Sequence, residues 1–323
     1  MTANKSRVEF IRGGKLPKPF RNVEMNFASR AVAARLPLDD KLRPPMPTSD
    51  SPASTALATP LRYLRVYWLM LRNSLIREMS FKANFIGWLV VEVLWFAGQI
   101  IFLEVIFGHV DRIGDWNKWE CVLLLGTHQI IAQIFQAFFY VNVSELPDLV
   151  RTGRLDLFLL QPIDSQFSVS ARRFGFDSFV TSLVGGAIVV FSLVKLGVVP
   201  SVAQVALYLI CCALGLGIHY SILFGLATLS IWIVRAQGLI YGYYNLFNVA
   251  RYPVDVFRGT FRFIFSWIIP VMIVANVPAR VLVRGFENPW PNVLHLAAAT
   301  ALVVSVTRMF WFFALKRYAS ASS

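Results

Sequence analysis

Phe85-Ile86-Gly87-Trp88-Leu89-Val90-Val91-Glu92-Val93-Leu94-Trp95-Phe96-Ala97-Gly98-Gln99-Ile100-Ile101-Phe102-Leu103-Glu104-Val105-Ile106-Phe107 is an apolar run whose polar side chains are Glu92, Gln99 and Glu104. Coiled as a helix at 1.5 Å per residue it reaches roughly 34 Å, enough to cross a hydrocarbon core about 30 Å thick. A helix is also the form in which a single segment satisfies its own backbone in lipid. Working outward, a polar loop with Asp111, Arg112, Asp115, Lys118 and Glu120 leads to a second apolar stretch, Cys121 to Val143, which closes a helical hairpin. A third covers Phe174 to Val194 and a fourth Ala203 to Ile231, separated by a tight turn at Lys195-Leu196-Gly197-Val198-Val199-Pro200. A last one runs from Val293 to Phe313, ahead of Lys316-Arg317.

Composition agrees with a membrane solvent. The 323 residues are 56% hydrophobic and 15% charged, with a mean hydropathy of +0.58, whereas soluble domains carry about 25% charged residues. The net charge of +13 could mark a nucleic-acid binder. Basic residues at the ends of long apolar runs instead point to loops facing anionic lipid, so membrane lipids are the expected partner and nucleic acid is not. Cys121, Cys211 and Cys212 lie in or beside apolar runs and form neither a disulfide framework nor a zinc pattern. His128 and His219 lack a second ligand at metal spacing, so no metal or cofactor is expected.

Residues 1–58 are basic and Pro-rich, and their composition predicts a disordered tail. They hold no apolar signal segment, which predicts a chain that begins in the cytoplasm. Gly13-Gly14-Lys15 is not a phosphate-binding loop, because Glu9 stands where the first glycine belongs and Leu16 where Ser or Thr would bind Mg²⁺. Over residues 59–83, Leu64, Trp68, Leu71, Leu75 and Met79 recur at steps of three and four, with Arg62, Arg65, Arg72 and Arg77 on other sides. That pattern predicts an amphipathic helix lying in the interface.

Residues 238–285 admit two readings. A Tyr/Asn-rich stretch reaches Ala250, then Arg251, Asp255, Arg258 and Arg262 interrupt, and Phe263 to Ala279 is apolar around Pro270. The last stretch is either a full span or a re-entrant helical pair turning at Pro270 and Pro278. Six spans place both termini and most arginines in the cytosol, but leave Arg251, Arg258, Arg262, Arg280 and Arg284 outside, against the positive-inside rule. The preferred architecture is an all-α membrane protein of six transmembrane helices, with the interfacial helix before them and the re-entrant pair between spans five and six.

Inside the membrane, polar side chains are functional candidates. Glu92 shares a face with Gln99, and Gln129, Gln133, Gln136 and Tyr140 form one stripe at steps of four, three and four. The stripe is a wall of a transport path, a hydrogen-bonded seam between subunits, or glue within the bundle. Ser178, Ser182 and Gly186, and likewise Ala213, Gly217, Ser221 and Gly225, are small-residue ladders suited to close helix packing. Arg308 sits where it can snorkel.

One loop carries more than hydrophobicity: Ser144-Glu145-Leu146-Pro147-Asp148-Leu149-Val150-Arg151-Thr152-Gly153-Arg154-Leu155-Asp156-Leu157-Phe158-Leu159-Leu160-Gln161-Pro162. Ser144 can cap a short helix in which Leu146, Leu149 and Val150 share a face, and Gly153 can stop it in the left-handed conformation. Arg154 and Asp156 among leucines suit docking into a groove on a soluble protein. With Arg251-Tyr252-Pro253-Val254-Asp255, Ile268-Ile269-Pro270-Val271 and Val277-Pro278-Ala279, this loop resembles the six-span permease subunits of ABC-2-type exporters, in the subgroup of largely uncharacterised transport systems, over residues 60–317.

That resemblance implies a transmembrane domain over residues 84–317 in the bacterial cytoplasmic membrane. It also implies a second permease, as a homodimer or pseudo-dimer, and separate cytosolic ATP-binding subunits. The loop at 144–162 would couple to them through Glu145, Leu146, Leu149, Val150, Gly153, Arg154, Leu155 and Asp156, and residues 252–285 would roof the transport path. The competing class, a membrane-embedded transferase acting on lipid or glycan, needs acid/base or nucleophilic residues gathered at one membrane face, and no such motif appears.

Overall fold

The computed structural model describes residues 67, 68, 72, 82–233, 236–284 and 288–319. The tail at 1–58 and most of the expected interfacial helix lie outside the described residues; Tyr67, Trp68 and Arg72 are helical. Among the described residues the fold is all α, without strands.

Helix α1, Lys82–Phe107, leads through a turn to α2, Lys118–Phe135. Asn117 and Glu120 form a capping box that starts α2, and Lys118 pairs with Glu104 at 2.5 Å to close the expected hairpin. α2 continues through a π turn, Gln136–Tyr140, and Val141–Val143. Three short helices follow: α3, Leu146–Arg151; α4, Asp156–Leu159; and α5, Ser165–Ser170. The next two long helices are α6, Phe176–Leu196, and α7, Val202–Thr228. Gly197 ends α6 at φ +67°, the left-handed stop that glycine takes without a Cβ clash, and Ser201 with Gln204 caps α7. α8, Gln237–Phe247, is 11 residues long and runs on as a 3₁₀ turn to Arg251. α9, Gly259–Phe263, widens into a π turn at Ile264–Ile268 before α10, Met272–Arg284, and the chain closes on α11, Trp290–Leu315.

Five helices among the described residues are long and apolar enough to cross a membrane, and α9 with α10 forms a further pair bent by 86°. α8 with its 3₁₀ turn is not among these five, being shorter than the ~20 residues a straight span needs. The bend falls at Pro270, whose ring cannot continue the helix. Pro278 makes no turn; it lies inside α10, so the bent pair has one corner and not the two expected.

Close packing sets the bundle. α2 crosses α6 at Gly126 and Gly185, where a Cβ on either would stand 3.0 Å from the other's carbonyl oxygen. The predicted ladder on this helix is thus out of register by one position: Ser178 and Ser182 are buried, but Gly186 faces open space. On α7, Gly217 lies against Thr300 and Gly225 against Thr307, while Ala213 is exposed. Thr300 and Thr307 of α11 donate hydroxyls to Leu214 O at 3.2 Å and Ser221 O at 3.0 Å, small residues plus cross-helix hydrogen bonds being the means by which helices associate in lipid.

Candidate functional site

The predicted polar stripe opens into a cavity of about 300 Å³ between α1, α2 and α8. Glu92, Gln99, Gln129 and Gln133 line it, and Gln133 Nε2 donates to Glu92 Oε1 at 2.8 Å. Gln136 and Tyr140 do not line it. They lie in the π turn, whose wider winding shifts their register from that of Gln129 and Gln133, and together they clasp Tyr244: its hydroxyl donates to Gln136 Oε1 at 2.7 Å and its ring lies 4.8 Å from that of Tyr140.

The opposite wall is α8 and its 3₁₀ turn, which contribute Tyr244, Asn245, Asn248 and Arg251. Arg251, which the sequence showed only as a charge interrupting an apolar region, lines this cavity with its guanidinium bonded to Asn248. The steps 244, 245, 248 and 251 are helical and carried a readable signal, a second polar stripe. His128 also lines the cavity, its ring stacked on Phe247 with Nε2 3.3 Å from Phe247 O, and His219 Nδ1 meets Tyr243 Oη at 3.0 Å. Both are hydrogen-bonded core histidines, and no metal-binding group exists among the described residues.

At the far end of α2 the loop at 144–162 forms a compact knob. Ser144 does not cap α3; it closes the preceding helical turn, and Pro147 in the first turn of α3 fixes its start. Gly153 takes the left-handed conformation at φ +70° as expected. Leu146, Leu149 and Leu155 are 0%, 1% and 0% exposed: they pack into the chain's own core, because α3 lies against α7 and its 3₁₀ end. Val150, Gly153 and Asp156 are half-buried. Facing outward are Asp148, Arg151, Thr152 and Arg154, with Leu157 and Leu160 exposed by 63% and 82%.

The base of the knob is tied down. Asn142 donates to Arg173 O and accepts from Arg173 N, both at 2.8 Å, and Glu145 accepts from Arg172 at 3.4 Å and from Arg173. Burial lowers the Arg172 pKa from its ordinary value, against the pull of Glu145. Arg308 bonds Asp164 and Gln166, and its hydrogen bond to Asp164 holds that carboxyl below the usual range.

A family model described as ABC-2 family transporter protein matches residues 93–322. The chain belongs to the ABC-2 transporter family. No curated protein matches the chain. The match begins inside α1, later than the expected start at residue 60; it takes in the knob and most of the cavity wall, while Trp88, Val91 and Glu92 precede it.

In this ABC-2 permease three of the arginines that strained the positive-inside count, Arg262, Arg280 and Arg284, pair with carboxylates near the other end of α2. Asp255 accepts from Arg280 Nη2 at 2.5 Å and Trp116 Nε1 at 3.2 Å and pairs with Arg262 at 3.5 Å. Arg284 donates to Asp115 O at 3.0 Å. Asn276 binds the neighbouring turn, accepting from Val254 N at 2.9 Å and donating to Tyr252 O at 3.1 Å. The bent pair is thereby fastened over the end of α2 that carries the capping box.

Proposed function

We propose that this chain is the permease subunit of an exporter in the bacterial cytoplasmic membrane, moving a substrate with ATP hydrolysed by separate cytosolic ATP-binding subunits. The observation that carries this reading is the knob at 144–162. It is fixed at its base to the membrane helices and offers a charged face with two bare leucines, a surface that suits a groove on a soluble partner. Leu146, Leu149 and Leu155 act as the anchor of the coupling element, and Arg154, with Asp148, Arg151, Leu157 and Leu160, touches the partner. This end of the bundle and both termini then lie in the cytosol, with residues 1–58 as a tail, 59–83 as an interfacial helix and 84–317 as the transmembrane domain.

Glu92, Gln99, Gln129 and Gln133, with Arg251, wall the transport path, while Gln136 and Tyr140 hold Tyr244 in place. A second permease, as a homodimer or a related chain, completes it. Trp88, Val91 and Trp95 both line the cavity and are exposed on α1, so one chain supplies only part of an enclosing wall.

The test is co-purification with the ATP-binding subunit, alongside efflux from the same cells. Leu157→Asp with Leu160→Asp is expected to release the partner or uncouple it while the permease folds normally. Retention of both partner and efflux at wild-type levels removes the coupling role.

A further inference from the structure

The turn between α9 and α10 separates two cavities that the transport path does not use. On one side is a polar cavity of about 370 Å³, lined by Arg262, Ser266, Trp267, Asn292 and His295 among others. Ser266 is 7% exposed, and its hydroxyl has no hydrogen-bond partner among the described residues. The His295 ring stacks on Trp267 at 3.9 Å, which fixes the orientation of the imidazole. No carboxylate lines this cavity, and its polar side chains can all donate hydrogen bonds, so it suits an anion. Asp255, outside the lining, pairs with Arg262 at 3.5 Å and also accepts from Arg280 and Trp116.

On the other side is an apolar groove of about 730 Å³, floored by Gly225 and Gly242 and walled by Leu246, Leu302, Val306 and Phe310. A Cβ on Gly242 would meet nothing within 4 Å. His295, Leu302, Val306 and Phe310 follow one another at steps of seven, four and four, so both cavities open on one stripe of α11. From His295 to Val306 the helix rises roughly 16 Å, close to the depth of one leaflet, about half of a 30 Å core. Trp267 and Trp290, exposed by 63% and 54%, mark the polar end as the level of the headgroups, where amphipathic rings collect.

We propose that these two cavities bind one phospholipid of a single leaflet, its phosphate against Arg262, Asn292, His295 and Ser266 and an acyl chain along the groove. This site is separate from the cavity of Glu92 and stands whether or not the chain exports with ATP.

The test uses the full chain in nanodiscs and a phosphatidylglycerol carrying a photoactivatable diazirine midway along its acyl chain. Crosslinks are expected in residues 238–246 and 302–310, with a diacylglycerol of the same chain labelling about tenfold less. His295→Leu with Arg262→Gln is expected to cut phospholipid labelling about tenfold, and Arg258→Gln, outside the cavity, to leave it unchanged. Because Arg262 also pairs with Asp255, Val306→Trp provides an independent block: it fills the groove at an exposed position and is expected to abolish these crosslinks. Equal labelling by diacylglycerol, or crosslinks unchanged by Val306→Trp, overturns the proposal.

Discussion

Gln133 on α2 donates to Glu92 on α1 at 2.8 Å, the hydrogen bond that joins the two polar stripes of this ABC-2 permease. Removing the donor leaves the partly buried carboxyl without this hydrogen bond. Gln133→Leu is expected to destabilise the protein by about 1–3 kcal/mol, while Glu92→Gln, which can keep a hydrogen bond, is expected to be nearly neutral. Thermal unfolding in detergent separates the two, and equal midpoints would show that the bond contributes nothing.

Gly126 and Gly185 predict a sharp positional contrast. Gly126→Ala places a methyl group 3.0 Å from Gly185 O and Val189 Cγ2, and crowding of this kind costs about 1–3 kcal/mol. Gly186→Ala meets open space and is expected to be neutral or mildly stabilising, since alanine is the better helix former. The paired midpoints check this.

Asp255 serves two arginines and a tryptophan. Asp255→Asn is expected to lower stability by about 1–3 kcal/mol, less than for a fully buried pair, because Arg280 is 24% and Arg262 51% exposed. Adding Arg280→Met should then cost less than the sum of the two single changes. A double-mutant cycle measures the coupling, and strict additivity would place the two residues on independent footings.

The Asp164–Arg308 pair predicts a dependence on pH. The folded carboxyl titrates below its unfolded value near 4, so its contribution is complete above that value and is lost as pH falls through the lower folded one. The side chains are 31% and 39% exposed, which limits the contribution to about 1 kcal/mol. Asp164→Asn should lower the unfolding midpoint at pH 7 and narrow the gap from wild type at pH 3.

Leu149, 1% exposed, is part of the fold. Leu149→Asp buries an unpaired charge and is expected to cost about 3 kcal/mol or more, seen as lost expression or aggregation on size-exclusion chromatography. Leu160→Asp, at an 82% exposed position, should elute as wild type.

Much of this architecture was legible because lipid imposes simple demands. Long apolar runs located α1, α2, α6, α7 and α11, and Gly153 marked the stop after α3, which the structure shows at φ +70°. The bent pair was harder. A proline breaks a helix only where the preceding carbonyl and the packing around it cannot adjust, so Pro270 and Pro278 looked equivalent in sequence and behave differently in the fold. In the loop, the spacing of Leu146, Leu149 and Val150 showed a shared apolar face but not whether its neighbour was another chain or this one.

What the sequence determined alone was the solvent and the local form: apolar length dictates helices that cross lipid, and residue spacing dictates which side chains share a face. What only the tertiary structure decided was which faces meet. Arg251 entered the cavity of Glu92, Gly185 took the crossing predicted for Gly186, and Asp255 drew in Arg280 and Arg262. Periodicity fixes a direction around one helix axis, but the partner across it depends on the crossing of helices far apart in the chain, set by packing.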